Sequence, residues 1–196
     1  LPSATEIIAR LGLVENLVGV SHECDFPESV ASLPKLTSSS INTTSSSSGI
    51  HQSVMDVIKN AVSVYDLDVE LLKSLQPDFI ITQDICDVCA VSFEQVEQAC
   101  QKVLDKNTRI ISLKPKRLND VWDDVQNVAD QLSVSEKGFE FRQDVEKRSH
   151  EIKTREGIRS TPKVLTIEWI EPIYIGGMWL PEMIEIVGGE ACLAQS

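Results

Sequence analysis

What is missing bounds the problem first. No apolar run in the 196 residues approaches the roughly 20 that a membrane-spanning helix needs. Basic residues are scarce: 18 Lys and Arg face 30 Asp and Glu, a formal charge of −12. Binding to a nucleic-acid backbone rests on Lys and Arg that displace counterions from phosphates. This balance, with no compensating basic stripe, excludes it, and an anionic membrane surface is disfavoured for the same reason. The charge suits a freely diffusing, soluble monomer. The five cysteines, Cys24, Cys86, Cys89, Cys100 and Cys192, are odd in number and irregularly spaced, which is no disulfide framework. There is no glycine-rich phosphate loop, no G-x-S-x-G elbow and no H-E-x-x-H helix. Of the three histidines, His51 and His150 fall on helical stretches and read as solvated.

What is present is a globular composition, 42% hydrophobic and 24% charged, able to bury a core. The opening Leu1-Pro2-Ser3 reads as the exit from a strand. Ser3-Ala4-Thr5-Glu6 predicts a capping box before Ile7, Ile8 and Leu11, with Gly12 as the stop. Val18 to Val20 predicts a strand, and the Ser- and Thr-rich stretch Thr37 to Ser48 a surface loop. Helices are expected over His51 to Ala61, Val69 to Leu75 and from the cap at Ser92 to Leu104, with strands at Phe79 to Thr82 and Arg109 to Leu113. Strands alternating with helices of this length indicate βαβ units and a parallel sheet.

Leu118 to Leu132 predicts an amphipathic helix. Ser133-Val134-Ser135-Glu136 predicts a capping box for a long, highly charged helix reaching about Arg155, a pattern that suits a strut between lobes better than a packed layer. A strand from Lys163 to Trp169 and a helix from Pro181 to Val187 begin a second α/β unit that the remaining residues are too few to complete. The expected division is 1–117 as the first α/β lobe, 118–157 as the helical connection, and 158–196 as the start of a second lobe.

Three loops after predicted strands concentrate chemistry, and in open α/β sheets ligands bind at the carboxyl ends of strands. The first holds His22, Glu23, Cys24 and Asp25 in succession, four groups suited to metal ligation or acid–base work. The alternative is a polar turn in which Asp25 caps the backbone before Pro27 and Cys24 is a small buried residue. The second holds Gln83 and Asp84 followed by Cys86 and Cys89, a single C-x-x-C that fits half a zinc site, a redox pair or two buried thiols in a tight turn. The third holds Glu168 and Trp169, then Tyr174 and Trp179. Aromatics with a carboxylate at a strand exit make a ligand wall or a lobe seal.

The element order, with Pro2-Ser3-Ala4-Thr5-Glu6, Asp25-Phe26-Pro27, Leu72 to Pro77-Asp78 and Gly188-Gly189-Glu190, resembles the cobalamin-binding and iron-siderophore-binding proteins of ABC importers. Ser21 to Asp25, Thr82-Gln83-Asp84 with Cys86 and Cys89, and Ile167-Glu168-Trp169 look like the subgroup labelled cobalamin-binding. The resemblance implies two Rossmann-like α/β lobes with parallel sheets joined by one long helix, the second lobe incomplete here, with the ligand held between them. It implies a transport protein and not an enzyme, periplasmic or membrane-anchored outside the cell, with no required cofactor. Its partners would be a small-molecule ligand, cobalamin or another metal chelate, and an ABC permease with its ATPase subunits. By position, Glu70 matches the first-lobe glutamate that docks on the permease. Where cobalamin binders place aromatics on the first lobe, this chain has Glu23, Cys24, Gln83 and Asp84, whereas Tyr174 matches an aromatic. Two other readings stand beside this one: a zinc or iron site built from His22, Cys24, Cys86 and Cys89, and a thiol-based enzyme or redox protein on the same fold.

Overall fold

Pro2 opens the first helix, α1 (Pro2–Arg10). Proline is favoured there because its fixed φ suits a helix and its missing N–H would find no intrahelical acceptor. No side chain caps this helix, so the expected box at Ser3 to Glu6 is not the cap: the N-cap position is Leu1, two residues before Ser3. Ala4, Thr5, Ile7 and Ile8 are its buried face, Leu11 is fully buried, and Gly12, at φ 70°, ends it. The computed structural model describes residues 1–41, 44–59, 64–85, 93–104, 107–155 and 160–193, with backbone alone for 58 and 59. They form two compact units, Leu1–Lys114 and Pro115–Ser196.

In the first unit, Val18 to Val20 contributes only an isolated parallel bridge between Val20 and Lys35. The serine-rich stretch is not all loop. Its first residues are strand β1 (Thr37–Ser39), its last open helix α2 (Ser47–Lys59), and β1 pairs antiparallel with β2 (Tyr65–Leu67). The pairing partner is distant in sequence, which composition could not reveal. Helix α3 (Val69–Leu75) falls where its pattern predicts, because both ends are fixed locally. Asp68 accepts a hydrogen bond from the Leu71 N–H at 2.9 Å, and Gln76 turns left-handed at φ 41° before Pro77.

Strand β3 (Phe79–Gln83), helix α4 (Phe93–Val103) and strand β4 (Arg109–Leu113) form a βαβ unit with the two strands parallel over five residue pairs. Val96 and Cys100 of α4 pack on Ile80, Ile110, Leu104, Tyr65 and Leu67. Ile111 and Leu113 are almost wholly buried, each worth about 1.5–3 kcal/mol relative to exposure. The unit holds the tips of β3 and β4 level, so Asp84 and Lys114 emerge side by side.

The second unit opens with α5 (Leu118–Gln131) and α6 (Ser135–Lys153). Ser133, at φ 61°, makes the turn between them, and the residue ahead of α6 is Val134 with no side-chain cap, so the expected second capping box is absent. Helix α6 is unbroken, as its pattern predicts. Its first half packs on α5 instead of standing clear. Gly138 permits this: a Cβ there would lie 2.7 Å from that of Ala129. Trp122 and Phe141 meet edge to face, and Arg142 reaches Asp123 and Asn119 of α5.

The expected strand from Lys163 to Trp169 is two, because its halves face different partners. Strand β5 (Lys163–Val164) and strand β6 (Ile167–Trp169) are followed by β7 (Tyr174–Ile175), helix α7 (Leu180–Ile186) and β8 (Glu190–Ala191). β5 pairs parallel with β8, and β6 antiparallel with β7. The short link Ile170 to Ile173 permits only the antiparallel arrangement. Parallel pairing is thus one part of a mixed α/β fold. Gly176 is required beside this hairpin, since a Cβ would lie 2.2 Å from Thr166 Oγ1. The hairpin is apolar and open: Ile170 is 74% exposed and Ile173 66%.

Candidate functional site

The loop after Val20 is tied down at several points. Cys24 N–H donates to Ser21 O at 3.1 Å, Lys35 Nζ donates to Cys24 O at 2.7 Å, and His22 N–H donates to Thr37 Oγ1 at 3.2 Å. The His22 ring also meets Thr37 through Nδ1, at 2.8 Å, and lies 5.5 Å from the Tyr65 ring. Strand β1 therefore orients the histidine. Its Nε2 makes no hydrogen bond, and Glu23 Oε1 stands 3.1 Å away. Glu23 and Asp25 are exposed.

Cys24 goes the other way. It is 2% exposed and clusters with Val20 and Val30, against Val14, Leu17 and Leu33. Its sulfur lies 3.1 Å from Thr5 Oγ1 and 3.2 Å from Ser21 Oγ. Burial opposes ionisation of this thiol, and the Ser21 and Thr5 hydroxyls favour it. Glu23 and Asp25 face solvent, the His22 ring lies against Thr37 and Tyr65, and Cys24 points into the core, so the four-residue run is not one ligand set.

At the β3 tip, Gln83 is half-buried and Asp84 is exposed, with the Asp84 N–H donating to Leu113 O at 3.1 Å. The Asp84 carboxylate is paired with Lys114, the residue directly after β4. The Lys114 ammonium also sits 5.7 Å from the centre of the Phe93 ring. Cys86 and Cys89 lie outside the described residues. Among the described residues, no three of His, Cys, Asp and Glu gather to hold a metal ion.

In the second unit, Trp169 is half-buried, faces Tyr174 across the β6–β7 pair, and donates from Nε1 to Glu171 O at 3.0 Å. Glu168 and Tyr174 are exposed, and Trp179 stands half-buried at the start of α7. Glu182, in the first turn of that helix, is turned to α5: its carboxylate accepts from the Leu118 N–H at 2.6 Å and pairs with Arg117. The Leu118 N–H, with Arg117 beside it, holds the Glu182 carboxyl below the usual range. Glu70 is exposed in the first turn of α3.

Two residues escaped the sequence reading. Phe26, named only as part of a motif, is 57% exposed beside the first loop. Lys114 lies just outside the predicted strand Arg109 to Leu113 and carried no expectation. Its only sequence signal was its place, one residue past the last apolar position of Arg109 to Leu113.

No protein-family model matches the chain, and no curated protein matches it. Solved structures do. The periplasmic vitamin B12 binding protein of Vibrio cholerae superposes with a TM-score of 0.65 at 20% identity, covering 100% of this chain and 65% of that one. The periplasmic heme-binding protein from Roseiflexus, in its apo form, gives 0.64 at 22% identity, covering 96% of this chain and 62% of that one. The periplasmic heme-binding protein of Vibrio cholerae gives 0.66 at 16%, covering 97% and 62%. The chain thus spans less than two thirds of the length of each. Across nearly all of its own length, it has the fold of these periplasmic binding proteins.

Proposed function

We propose that this chain belongs to the substrate-binding component of an ABC importer, which captures a small metal chelate of the cobalamin or heme kind and delivers it to a permease driven by ATPase subunits. The observation that carries this reading is the likeness of fold over 96–100% of the chain to proteins that bind vitamin B12 and heme. The candidate groups of the first unit, His22, Glu23, Asp25, Gln83 and Asp84, are polar. Burying them unpaired against an apolar macrocycle would be costly, so they suit a ligand with a polar or charged edge. The second unit offers Trp169, Tyr174 and Trp179, which give contact area with a polar handle, and the carboxylate of Glu168. Glu70, exposed on α3, is the residue we assign to permease docking. The place of work is outside the cytoplasmic membrane. No helix among the described residues is long and apolar enough to cross one. The burial of Cys24 weighs against a thiol enzyme, or a zinc or iron site, that uses its sulfur.

Native mass spectrometry of the protein purified from its own host tests the reading, followed by titration with cyanocobalamin and with hemin. One equivalent of a metal chelate bound, or taken up saturably, is the expected result. Protein free of ligand that takes up neither compound would overturn it.

A further inference from the structure

The carboxyl ends of β3 and β4 present a cation that the proposed function does not use. Lys114 follows the last residue of β4, and its neighbour across the parallel pair is Asp84, held by its own N–H to Leu113 O. In an open parallel sheet this is the end where ligands bind. The Lys114 side chain is 58% exposed and that of Asp84 39%, so water reaches both, and an ion pair of this kind is held weakly. The Phe93 ring, 5.7 Å from the ammonium, keeps the head group over the strand tips when the carboxylate is displaced. Lys35, beside the loop that holds Cys24, is committed to the Cys24 carbonyl. Arg109 stacks on Phe79 at the opposite end of β4. In a chain of charge −12, an anionic ligand needs a local cation to offset the repulsion.

We propose that Lys114 is a ligand-contacting residue that exchanges its ion pair with Asp84 for an anionic oxygen group on the bound small molecule. Two sources share that chemistry, a carboxylate arm on a chelate and a phosphodiester. The inference rests on the importer reading and adds to it the charge at the ligand's edge. No proton need move: one carboxylate leaves the ammonium and one anion arrives.

The test titrates the full chain, and its K114M and D84N variants, with hemin, hemin dimethyl ester and cyanocobalamin, following absorbance. Hemin carries carboxylates, its dimethyl ester carries none, and cyanocobalamin carries a phosphodiester. K114M is expected to bind hemin or cyanocobalamin roughly tenfold more weakly than the wild type, the scale of one charge-assisted hydrogen bond. Loss with hemin alone identifies a carboxylate, and loss with cyanocobalamin alone a phosphodiester. The dimethyl ester should bind both proteins equally, and D84N should strengthen binding of the anion by freeing the ammonium. Unchanged affinity of K114M for both anions overturns the proposal and leaves the importer reading intact. A wild-type protein that takes up none of the three probes overturns both.

Discussion

Thiol reactivity follows access and the thiolate fraction, and access separates the three described cysteines. Cys24 is closed in among Val20 and Val30. Cys100 is buried in α4, where burial, with Glu97 adding to it, pushes its thiol up. Cys192 is half-exposed. Labelling with iodoacetamide near neutral pH, followed by peptide mapping, should therefore modify Cys192 before either of the other two described cysteines and leave Cys24 and Cys100 unmodified until denaturant is added. Rapid native labelling of Cys24 would mean that the loop from Ser21 to Pro27 opens. The same residues show what sequence conveys at this scale. Residue type suggested a ligand set at His22 to Asp25, but the direction of each side chain depends on Thr37 and Lys35, which hold the loop from elsewhere in the chain. Lys114 escaped notice for the converse reason: a lysine has no motif, and its meaning comes from the parallel register that sets Asp84 beside it.

Elements were legible where local chemistry closes both ends, as in α3, with Asp68 before it and Gln76-Pro77 after it. They were misread where a distant partner decides. Lys163 to Trp169 looks like one apolar strand, yet it splits because β8 claims its first half and β7 its second. Both expected capping boxes fail, and at the start of α5 local and distant groups share the work. Asp120 of the first turn accepts from the Lys116 and Arg117 N–H groups at 2.9 Å, and the carboxylate that accepts from the Leu118 N–H comes from Glu182, on α7. This contact makes a pH prediction. The folded-state pKa of Glu182 is depressed, so its contribution is present above the unfolded value, about 4.3, and is lost as pH falls through the folded value. Glu182→Ala should cost about 1 kcal/mol at pH 7, the scale of a lost helix cap. Glu182→Gln should flatten the loss of stability on acidification below about pH 4.3. Urea unfolding of wild type and both variants at neutral and acid pH measures this, and an unaltered acid slope in Glu182→Gln would count against the contact.

At the scale of the whole chain, the order of elements proved the most durable signal. Identities with the solved neighbours are only 16–22%, yet the alternation of strand and helix survives because burial patterns tolerate many exchanges of one apolar residue for another. What order cannot carry is the ligand, which depends on a handful of loop side chains.

The open hairpin of β6 and β7 has a consequence for how the protein behaves as a colloid. Ile170 and Ile173 stand far out in solvent on a chain whose charge of −12 keeps copies apart. The reach of that repulsion shrinks from about 30 Å at 0.01 M salt to about 3 Å at 1 M, while the attraction between apolar surfaces is not screened. Light scattering at rising protein concentration should therefore report net repulsion in dilute buffer and net attraction in concentrated salt. An Ile170→Lys, Ile173→Lys double variant should stay repulsive further into the salt range, despite its smaller net charge. If the variant turns attractive at the same salt concentration as the wild type, some surface other than the hairpin is the adhesive one.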